Sequence, residues 1–263
     1  MDKIITFFKG LIIGTTMLVP GVSGGSMAMV IGIYNRLIKS VSSFRKDIKN
    51  NTIFLLVFVL GAGAGILLFA KPLLSLIETY PKPMLFAILG FVAGGIPTIY
   101  KQASVKNFGF LQSIYVIIGL ISVLLFNILP LNSTLNTSSN NIIYLLFSGF
   151  IAAIALILPG ISVSYLLLLM GLYDKTMLAL SNIDLTFIIP MALGVIAGII
   201  LCTKALEKAM SNYPQPTYLI IIGFVLGSMI CAFPGKPEAH QWIICIPASI
   251  AGFIMMHKIN KTT

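Results

Sequence analysis

The sequence predicts an all-α polytopic membrane protein built from two inverted-topology repeats. Of its 263 residues, 58% are hydrophobic and only 9% are charged, and the mean hydropathy is +1.03. A soluble domain carries about 25% charged residues, so this chain cannot cover itself with a water-facing surface. Three observations support the prediction: long apolar runs, an internal duplication and an uneven distribution of lysine and arginine.

Six uninterrupted apolar stretches are predicted to be transmembrane helices. About 20 helical residues cross about 30 Å of hydrocarbon, and backbone groups in lipid must be satisfied within their own segment. The stretches cover approximately residues 53–77, 84–100, 110–130, 185–206, 217–233 and 241–257. Two further apolar stretches, residues 4–34 and 142–173, are each interrupted by Pro-Gly and are predicted to be broken helical hairpins.

The chain contains an internal duplication. The motif Pro-Gly-x-Ser at residues 20–23 recurs at 159–162, and Gly-x-Tyr at 32–34 recurs at 171–173, both at an offset of 139. Farther along, the offset is 133, and fifteen of the thirty-four positions in residues 61–94 are identical to their counterparts in 194–227. We therefore predict one integral membrane domain, with a first repeat over residues 1–131 and a second over 140–263.

The basic residues indicate how the broken stretches sit in the membrane. If each is a re-entrant hairpin, thirteen of the 17 Lys and Arg residues fall on the N-terminal side and four on the other; if each spans, the split is eight to nine. The positive-inside rule therefore favours hairpins, three spans per repeat and two cytoplasmic termini. Three is an odd number, so the second repeat is inverted, a plan that recurs in secondary transporters.

The two hairpin tips form the candidate binding site. Proline and glycine end the first arm of each hairpin, and Ser23 or Ser162 is placed to cap the second arm. A helix start offers N–H groups and a partial positive charge to an anion, and glycine lets the backbone approach that anion closely. The alternative is a simple Pro-Gly kink whose serines bond back to their own helix. The candidate residues are Gly21, Ser23, Gly24, Gly25, Ser26, Gly160, Ser162 and Ser164.

Three cations are further candidates for binding phosphate. Lys71 and Lys204 are repeat-related, and each either supplies positive charge to a phosphate near one leaflet or snorkels to the membrane surface from a helix end. Arg36 follows the first hairpin, in a basic loop whose simpler roles are topology and contact with anionic lipid.

Other polar and small residues receive structural interpretations. Glu78 and Glu207 are predicted to be solvated, and Tyr34 and Tyr173 to mark the membrane interface. Two G-x-x-x-G pairs are predicted to pack helices together: Gly61 with Gly65, and Gly194 with Gly198.

These motifs resemble the bacterial polyprenyl-phosphate transporter family of the PopT type. The resemblance covers essentially the whole chain and rests on Lys9-Gly10, residues 20–26 (PGVSGGS), residues 32–34 with Arg36, residues 158–162 (LPGIS), Ser164 and residues 171–173. It implies that the protein returns undecaprenyl phosphate to the inner leaflet for reuse in cell-wall synthesis. Family members often carry an acidic residue where this chain has Met17, so coupling through that carboxylate is not available here.

The sequence therefore favours a lipid-phosphate translocase of the bacterial cytoplasmic membrane. The alternative is an ion-coupled transporter of a small soluble anion on the same fold; a route open sideways to lipid would favour the first, and a closed aqueous vestibule the second. An enzyme is disfavoured, because seven acidic residues, mostly in loops, and two histidines at membrane edges offer no acid/base pair or metal site. The expected partners are polyprenyl phosphate and membrane lipids, without cofactor, metal or nucleic acid; coupling to a proton or sodium gradient and a homodimer are left open.

Overall fold

The computed structural model describes residues 2–17, 23–105, 109–128, 141–161 and 163–261. Within these ranges all regular structure is helical, which confirms the all-α prediction. A short 3-10 turn, Phe44–Lys46, joins α3 to α4. The α-helices are α1 Lys3–Thr16, α2 Gly24–Val30, α3 Tyr34–Ser42, α4 Ile48–Thr79, α5 Pro81–Gln102, α6 Phe110–Ile128, α7 Ile142–Ile157, α8 Val163–Leu169, α9 Tyr173–Asn182, α10 Leu185–Asn212, α11 Pro214–Cys231 and α12 Trp242–Lys261.

Five of these helices are long and apolar enough to cross a membrane: α4, α5, α10, α11 and α12. Shorter apolar helices occupy Phe110–Leu125 and Ile142–Ile157. Large apolar side chains remain outside the core, and Leu67 and Phe110 are each 82% exposed. Such a surface is unfavourable in water but suits contact with lipid tails, so burial agrees with the multi-pass prediction.

The chain reverses direction between the two arms of each broken stretch. The Lys9 Nζ of α1 donates a hydrogen bond of 3.1 Å to the carbonyl of Ile31, which follows α2. The Tyr144 hydroxyl of α7 donates one of 2.8 Å to the carbonyl of Met170, which follows α8. The C-terminal end of each second arm therefore lies beside the first arm. Lys9, which the charge distribution counted among loop residues, is in fact buried inside α1.

Small residues let the long helices pack in close pairs. A Cβ atom added to Gly61 of α4 would overlap the Phe7 carbonyl of α1, and one added to Gly194 of α10 would overlap the Leu146 carbonyl of α7. The prediction that these glycines pack helices is confirmed. α1 lies along α4, and α7 lies along α10; α5 pairs with α12, and α6 pairs with α11.

The short helix α2 lies in the centre of the protein. Every residue from Ser26 to Val30 is buried, and the methionines at 27 and 29 are among the most buried large side chains. α3 follows and packs against α10. This central position fixes the start of α2, where the Pro-Gly-x-Ser motif ends, inside the molecule.

Candidate functional site

Ser23, the last residue of the first Pro-Gly-x-Ser motif, contacts Gly160 of the second motif. Its hydroxyl accepts a 3.1 Å hydrogen bond from the N–H of Ser26, so it caps α2 as the sequence predicts. The same oxygen accepts a 3.0 Å hydrogen bond from the N–H of Gly160, in the second motif. A further bond of 3.0 Å links the hydroxyls of Ser23 and Ser26. We call the meeting point of these residues the junction.

Two glycines allow the backbones at the junction to approach each other. A Cβ atom on Gly25 would lie 3.2 Å from the carbonyl oxygen of Ile157 and 3.4 Å from the Cα of Pro159. Gly160 has a φ of +87°, a backbone conformation that suits glycine, and its added Cβ would overlap the Phe224 carbonyl of α11. A larger residue at Gly25 would push α2 away from the second motif, and a larger residue at Gly160 would push the second motif away from α11.

Tyr34 binds the chain just before the second motif. It is only 3% exposed, and its hydroxyl donates a 2.7 Å hydrogen bond to the carbonyl of Ile157, the last residue of α7. α7 ends at the residue before Leu158-Pro159, where no helical N–H is available to that carbonyl. The prediction that Tyr34 marks the membrane interface is wrong, because the side chain is buried against the second motif. Its repeat counterpart Tyr173 is half-buried.

A small, mainly apolar space that contains two serines lies beside the junction and adjoins an apolar groove. Ser26 and Ser228 are 2% and 6% exposed, and together with neighbouring apolar residues they line a space of about 10 Å³. Leu89 and Met229 line this space and also an open groove of about 430 Å³ between α5, α6 and α11. The groove is lined by Leu89, Leu120, Leu226, Met229, Ile230 and Phe233. The open apolar groove therefore lies next to the space that contains the two buried serines.

The predicted cations lie away from the described hydrogen bonds of the junction. The Arg36 guanidinium stacks over the ring of Phe54 of α4, at 5.1 Å from the ring centre. Lys71 is exposed on α4. Lys204 is exposed on α10 and lines a pocket shared with α3 and α4. Gly21 and Ser162 lie outside the described residues, and so does the side chain of Ser164, which belongs to α8.

Glu207 links α10 to α3 and is not freely solvated, contrary to the prediction. It is half-buried, and its carboxylate accepts hydrogen bonds from the hydroxyls of Ser42 and, at 3.3 Å, Ser43. Glu78 is exposed, in agreement with the prediction.

Aspartates cap the start of α4 and of α10 at the ends of the preceding connections. Hydrogen bonds from the side chain and the N–H of Asn50 lower the pKa of Asp47, and hydrogen bonds from the Thr186 hydroxyl and N–H lower the pKa of Asp184. Both carboxylates are therefore held in the charged form that accepts these hydrogen bonds. Each aspartate is engaged by its own helix.

The sequence did not single out Ser228 or the polar contacts of Asn35. The Asn35 side-chain amide donates to the Tyr218 hydroxyl, at 2.7 Å, and to the Gln102 side chain, at 3.3 Å. Ser228 donates to the carbonyl of Val225 in its own helix. These residues belong to α3, α5 and α11, which are far apart in the sequence. Only the fact that α11 is polar at Tyr218 and Ser228 within an apolar run could have drawn attention to them.

Membrane-length helices with two broken segments that meet in the interior define a multi-pass membrane protein of the transporter class. The chain belongs to the undecaprenyl phosphate translocase-like family, which it matches over residues 13–244. This membership confirms the resemblance drawn from the motifs, and it also confirms that the protein is a transporter and not an enzyme.

Two relatives match along most of their length. The chain is 31% identical to the polyprenyl-phosphate transporter of Staphylococcus aureus over 275 aligned residues, which cover 99% of this chain and 97% of the relative. It is 28% identical to the polyprenyl-phosphate transporter of Vibrio cholerae serotype O1 over 257 aligned residues, which cover 92% of this chain and 81% of the relative. No solved structure matches the chain.

Proposed function

We propose that this protein translocates undecaprenyl phosphate across the bacterial cytoplasmic membrane, with the phosphate bound at the junction and the isoprenoid tail in lipid. Family membership and the names of both relatives support a polyprenyl phosphate as the substrate. The movement returns the lipid carrier to the cytoplasmic leaflet. The observation that carries the binding site is the hydrogen bond between Ser23 and Gly160.

Phosphate can replace the Ser23 hydroxyl as the acceptor at the junction, and the released hydroxyl can then donate a hydrogen bond to a phosphate oxygen. The N–H groups of Ser26 and Gly160 now point at one hydroxyl oxygen, and a phosphate oxygen accepts the same donors more strongly because it is charged. Gly24 and Gly25 begin α2, and the first N–H groups of a helix have no partner within it. The Ser26 hydroxyl is a further donor. The junction thus offers several neutral donors and no carboxylate among its described residues.

The apolar groove supports a lipid substrate over a soluble anion. It is open to the surface and adjoins the space lined by Ser26 and Ser228. A polyprenyl chain can lie in this groove while its phosphate reaches the junction, because the two sites share Leu89 and Met229. A soluble anion would make no favourable contact with this apolar groove.

The helix pairs support two inverted repeats. The sequence offsets relate α1, α4, α5 and α6 to α7, α10, α11 and α12, respectively. Exchanging the halves turns the α1–α4 pair into α7–α10, and the α5–α12 pair into α11–α6, and all four pairs are present. Each second arm also ends in a glycine with positive φ, +73° at Gly32 and +65° at Gly171. Two cytoplasmic termini and re-entrant hairpins complete this proposal.

The departures from this symmetry support alternating access. α3 packs against α10, whereas within the described residues α9 makes no corresponding contact with α4. α2 packs against α5, and α8 has no such contact with α11 in the same described part. We take the α3–α10 side as the closed end of the protein and the equivalent side, which is less tightly packed in the described residues, as the open end. Exchanging these two arrangements between the repeats would open the closed end and close the other.

Lipid binding by the purified protein tests this proposal. We expect the protein in neutral detergent to bind undecaprenyl phosphate and to bind undecaprenol, which lacks the phosphate, at least about tenfold more weakly. Native mass spectrometry of the two complexes measures the difference. Equal binding of both lipids would refute a phosphate-specific site.

Competition with inorganic phosphate separates the proposal from the soluble-anion alternative. A lipid substrate held by both its tail and its phosphate is expected to resist displacement by millimolar inorganic phosphate. Complete displacement, with accumulation of labelled phosphate inside proteoliposomes, would instead favour the soluble-anion transporter.

A further inference from the structure

A basic pocket lies between α3, α4 and α10, at the end of the protein where α3 and α10 are in contact. It has a volume of about 490 Å³ and is lined by Val41, Ser42, Phe44, Arg45, Leu55, Ile200 and Lys204. This volume falls in the range of ligand-binding clefts. We propose that the pocket is a second binding site for the phosphate monoester of a lipid, present at one face of the transporter only. The inference rests on the proposed function and deepens it.

The charge of the pocket matches a phosphate monoester. Arg45 comes from the turn after α3, and Lys204 lies in the last third of α10. In the described part of the chain neither cation forms an ion pair. Two cations complement a phosphate monoester, which carries a charge of about −1.5 to −2 at neutral pH. A phosphodiester of an ordinary phospholipid carries only about half of that charge.

Glu207 does not neutralise the pocket. It lies one turn beyond Lys204 on α10, close enough in sequence to pair with it. Its carboxylate instead accepts hydrogen bonds from Ser42 and Ser43. These bonds fix α3 against α10 and leave the Lys204 ammonium free to meet a ligand.

The rest of the wall is apolar and suits the start of a lipid chain. Val41, Leu55 and Ile200 come from three different helices and face the same pocket. Basic pockets between transmembrane helices are a recurrent form of lipid-headgroup site. A free phosphate ion would contact the cations and leave this apolar surface unused, whereas a polyprenyl phosphate would use both.

The second repeat lacks the corresponding site. Its connection from α9 to α10 consists only of Ile183 and Asp184, while residues 43–47 join α3 to α4. The shorter connection holds no basic residue, and its carboxylate is used to cap α10. Of the two pocket cations, Lys204 corresponds to Lys71 in the other repeat, whereas Arg45 has no basic counterpart there. Among the described residues the site therefore exists only at the α3–α10 face, which the positive-inside rule predicts to be cytoplasmic.

A phosphate site at one face only would favour release of the lipid phosphate at that face. A lipid phosphate that leaves the junction towards the α3–α10 face meets Arg45 and Lys204 in one pocket, whereas the equivalent place in the other repeat offers Lys71 and no basic counterpart of Arg45. The pocket would hold the phosphate at the membrane surface after release, within reach of the next enzyme that uses the carrier.

Photo-crosslinking with a diazirine-bearing polyprenyl phosphate tests the inference. We expect the protein in phosphatidylcholine nanodiscs to be labelled within residues 41–55 and, separately, around residues 26 and 89. The double variant Arg45→Gln/Lys204→Gln should lose at least about tenfold of the labelling in residues 41–55 and keep the labelling near the junction. The control Lys46→Gln/Lys101→Gln removes two exposed lysines outside the pocket, an equal number of positive charges, and should retain both labelled regions.

A charge-preserving swap and three competitors complete the test. Arg45→Lys/Lys204→Arg keeps both positive charges and should retain most of the labelling. This result would show that the loss in the Gln variant is due to the missing charges and not to a folding defect. Undecaprenyl phosphate should compete for residues 41–55, and undecaprenol, phosphatidylglycerol and inorganic phosphate should compete poorly. Unchanged labelling in the Arg45→Gln/Lys204→Gln variant, or equal competition by any of the last three, would overturn the proposed monoester site.

Translocation measured on the same samples separates the two proposals. Unchanged labelling of the pocket in the Arg45→Gln/Lys204→Gln variant, together with normal translocation by the wild-type protein, would refute this inference and leave the proposed function standing. Loss of pocket labelling in the variant, together with wild-type protein that does not translocate the lipid, would refute the proposed function and leave the binding site standing.

Discussion

Ser23 shows how much one side chain contributes when two distant segments meet. Its capping role follows from local sequence, because a serine after Pro-Gly and before Gly-Gly-Ser is a favourable N-cap. Its hydrogen bond to Gly160 joins residues separated by 137 positions. Both interactions use one oxygen, so a ligand that takes either N–H group also loosens the contact between the two motifs.

Tyr34 provides a residue-scale test of this contact. Tyr34→Phe removes the hydroxyl that donates to the Ile157 carbonyl and leaves a buried acceptor without its partner. Such a loss costs about 1–3 kcal/mol, so we expect a lower apparent melting temperature in detergent. Scanning fluorimetry of the purified variant measures it.

Tyr173→Phe is the matched control, because Tyr173 occupies the same position of the second repeat. Its hydroxyl has no hydrogen bond to any described residue, so its loss should change the melting temperature little. Equal destabilisation by both substitutions would show that the Tyr34 hydroxyl has no special role.

The sequence revealed the residues of the junction but not their contacts. The recurrence of Pro-Gly-x-Ser identified both motifs, and glycine with serine indicated an anion site. The burial of Tyr34 and the closeness of Ser228 to Ser26 depend on how α2, α5, α7 and α11 pack. A single sequence does not reveal such packing. The same tyrosine or serine would be equally acceptable at a membrane surface, so its presence does not indicate that it is buried.

At the scale of helices, apolar length predicted the long elements well and the short ones poorly. The all-helical, multi-pass character is confirmed, although α4 runs over Ile48–Thr79 where residues 53–77 were predicted. α3 and α9 were not predicted. Short helices of mixed polarity depend on tertiary contacts more than on propensity, and the buried Tyr34 and Ile38 of α3 supply such contacts.

The pairing of α1 with α4 predicts different effects for two glycines of one helix. Gly61→Ala places a methyl group against the Phe7 carbonyl and should destabilise the protein by about 1–3 kcal/mol. Gly63 has no atom within 4 Å of an added Cβ, and alanine there should be neutral or stabilising by up to about 1 kcal/mol. Apparent melting temperatures in the same detergent compare the two variants. A larger loss for Gly63→Ala would contradict the described packing.

At the scale of the whole molecule, the duplication is visible in the sequence and its asymmetry is not. Repeat offsets relate every long helix of one half to a helix of the other. They cannot indicate that α3 packs on α10 while, among the described residues, α9 makes no comparable contact with α4, because both arrangements satisfy the same sequence pattern. In the proposed alternating-access cycle, the asymmetry corresponds to one of two conformations of the protein.

The contact between α3 and α10 is expected to depend on Glu207. Glu207→Ala removes the acceptor for Ser42 and Ser43, so the end of α3 should open more often. Hydrogen exchange measured by mass spectrometry should therefore be faster within residues 34–43, by roughly fivefold or more for a loss of about 1 kcal/mol. Glu78→Ala, which changes an exposed glutamate on α4, is the control. Unchanged exchange in the Glu207→Ala variant would mean that the hydrogen bonds do not close this end.

The sidedness of labelled undecaprenyl phosphate in proteoliposomes tests the central claim most directly. The account predicts protein-dependent movement between leaflets, slowed at least about tenfold in Ser23→Ala/Ser162→Ala. Movement should be nearly unchanged in the control Ser122→Ala, whose hydroxyl bonds only to its own helix in the described structure. Full movement in the double serine variant would contradict a phosphate site at the junction. No protein-dependent movement, with or without a proton gradient, would contradict translocation itself.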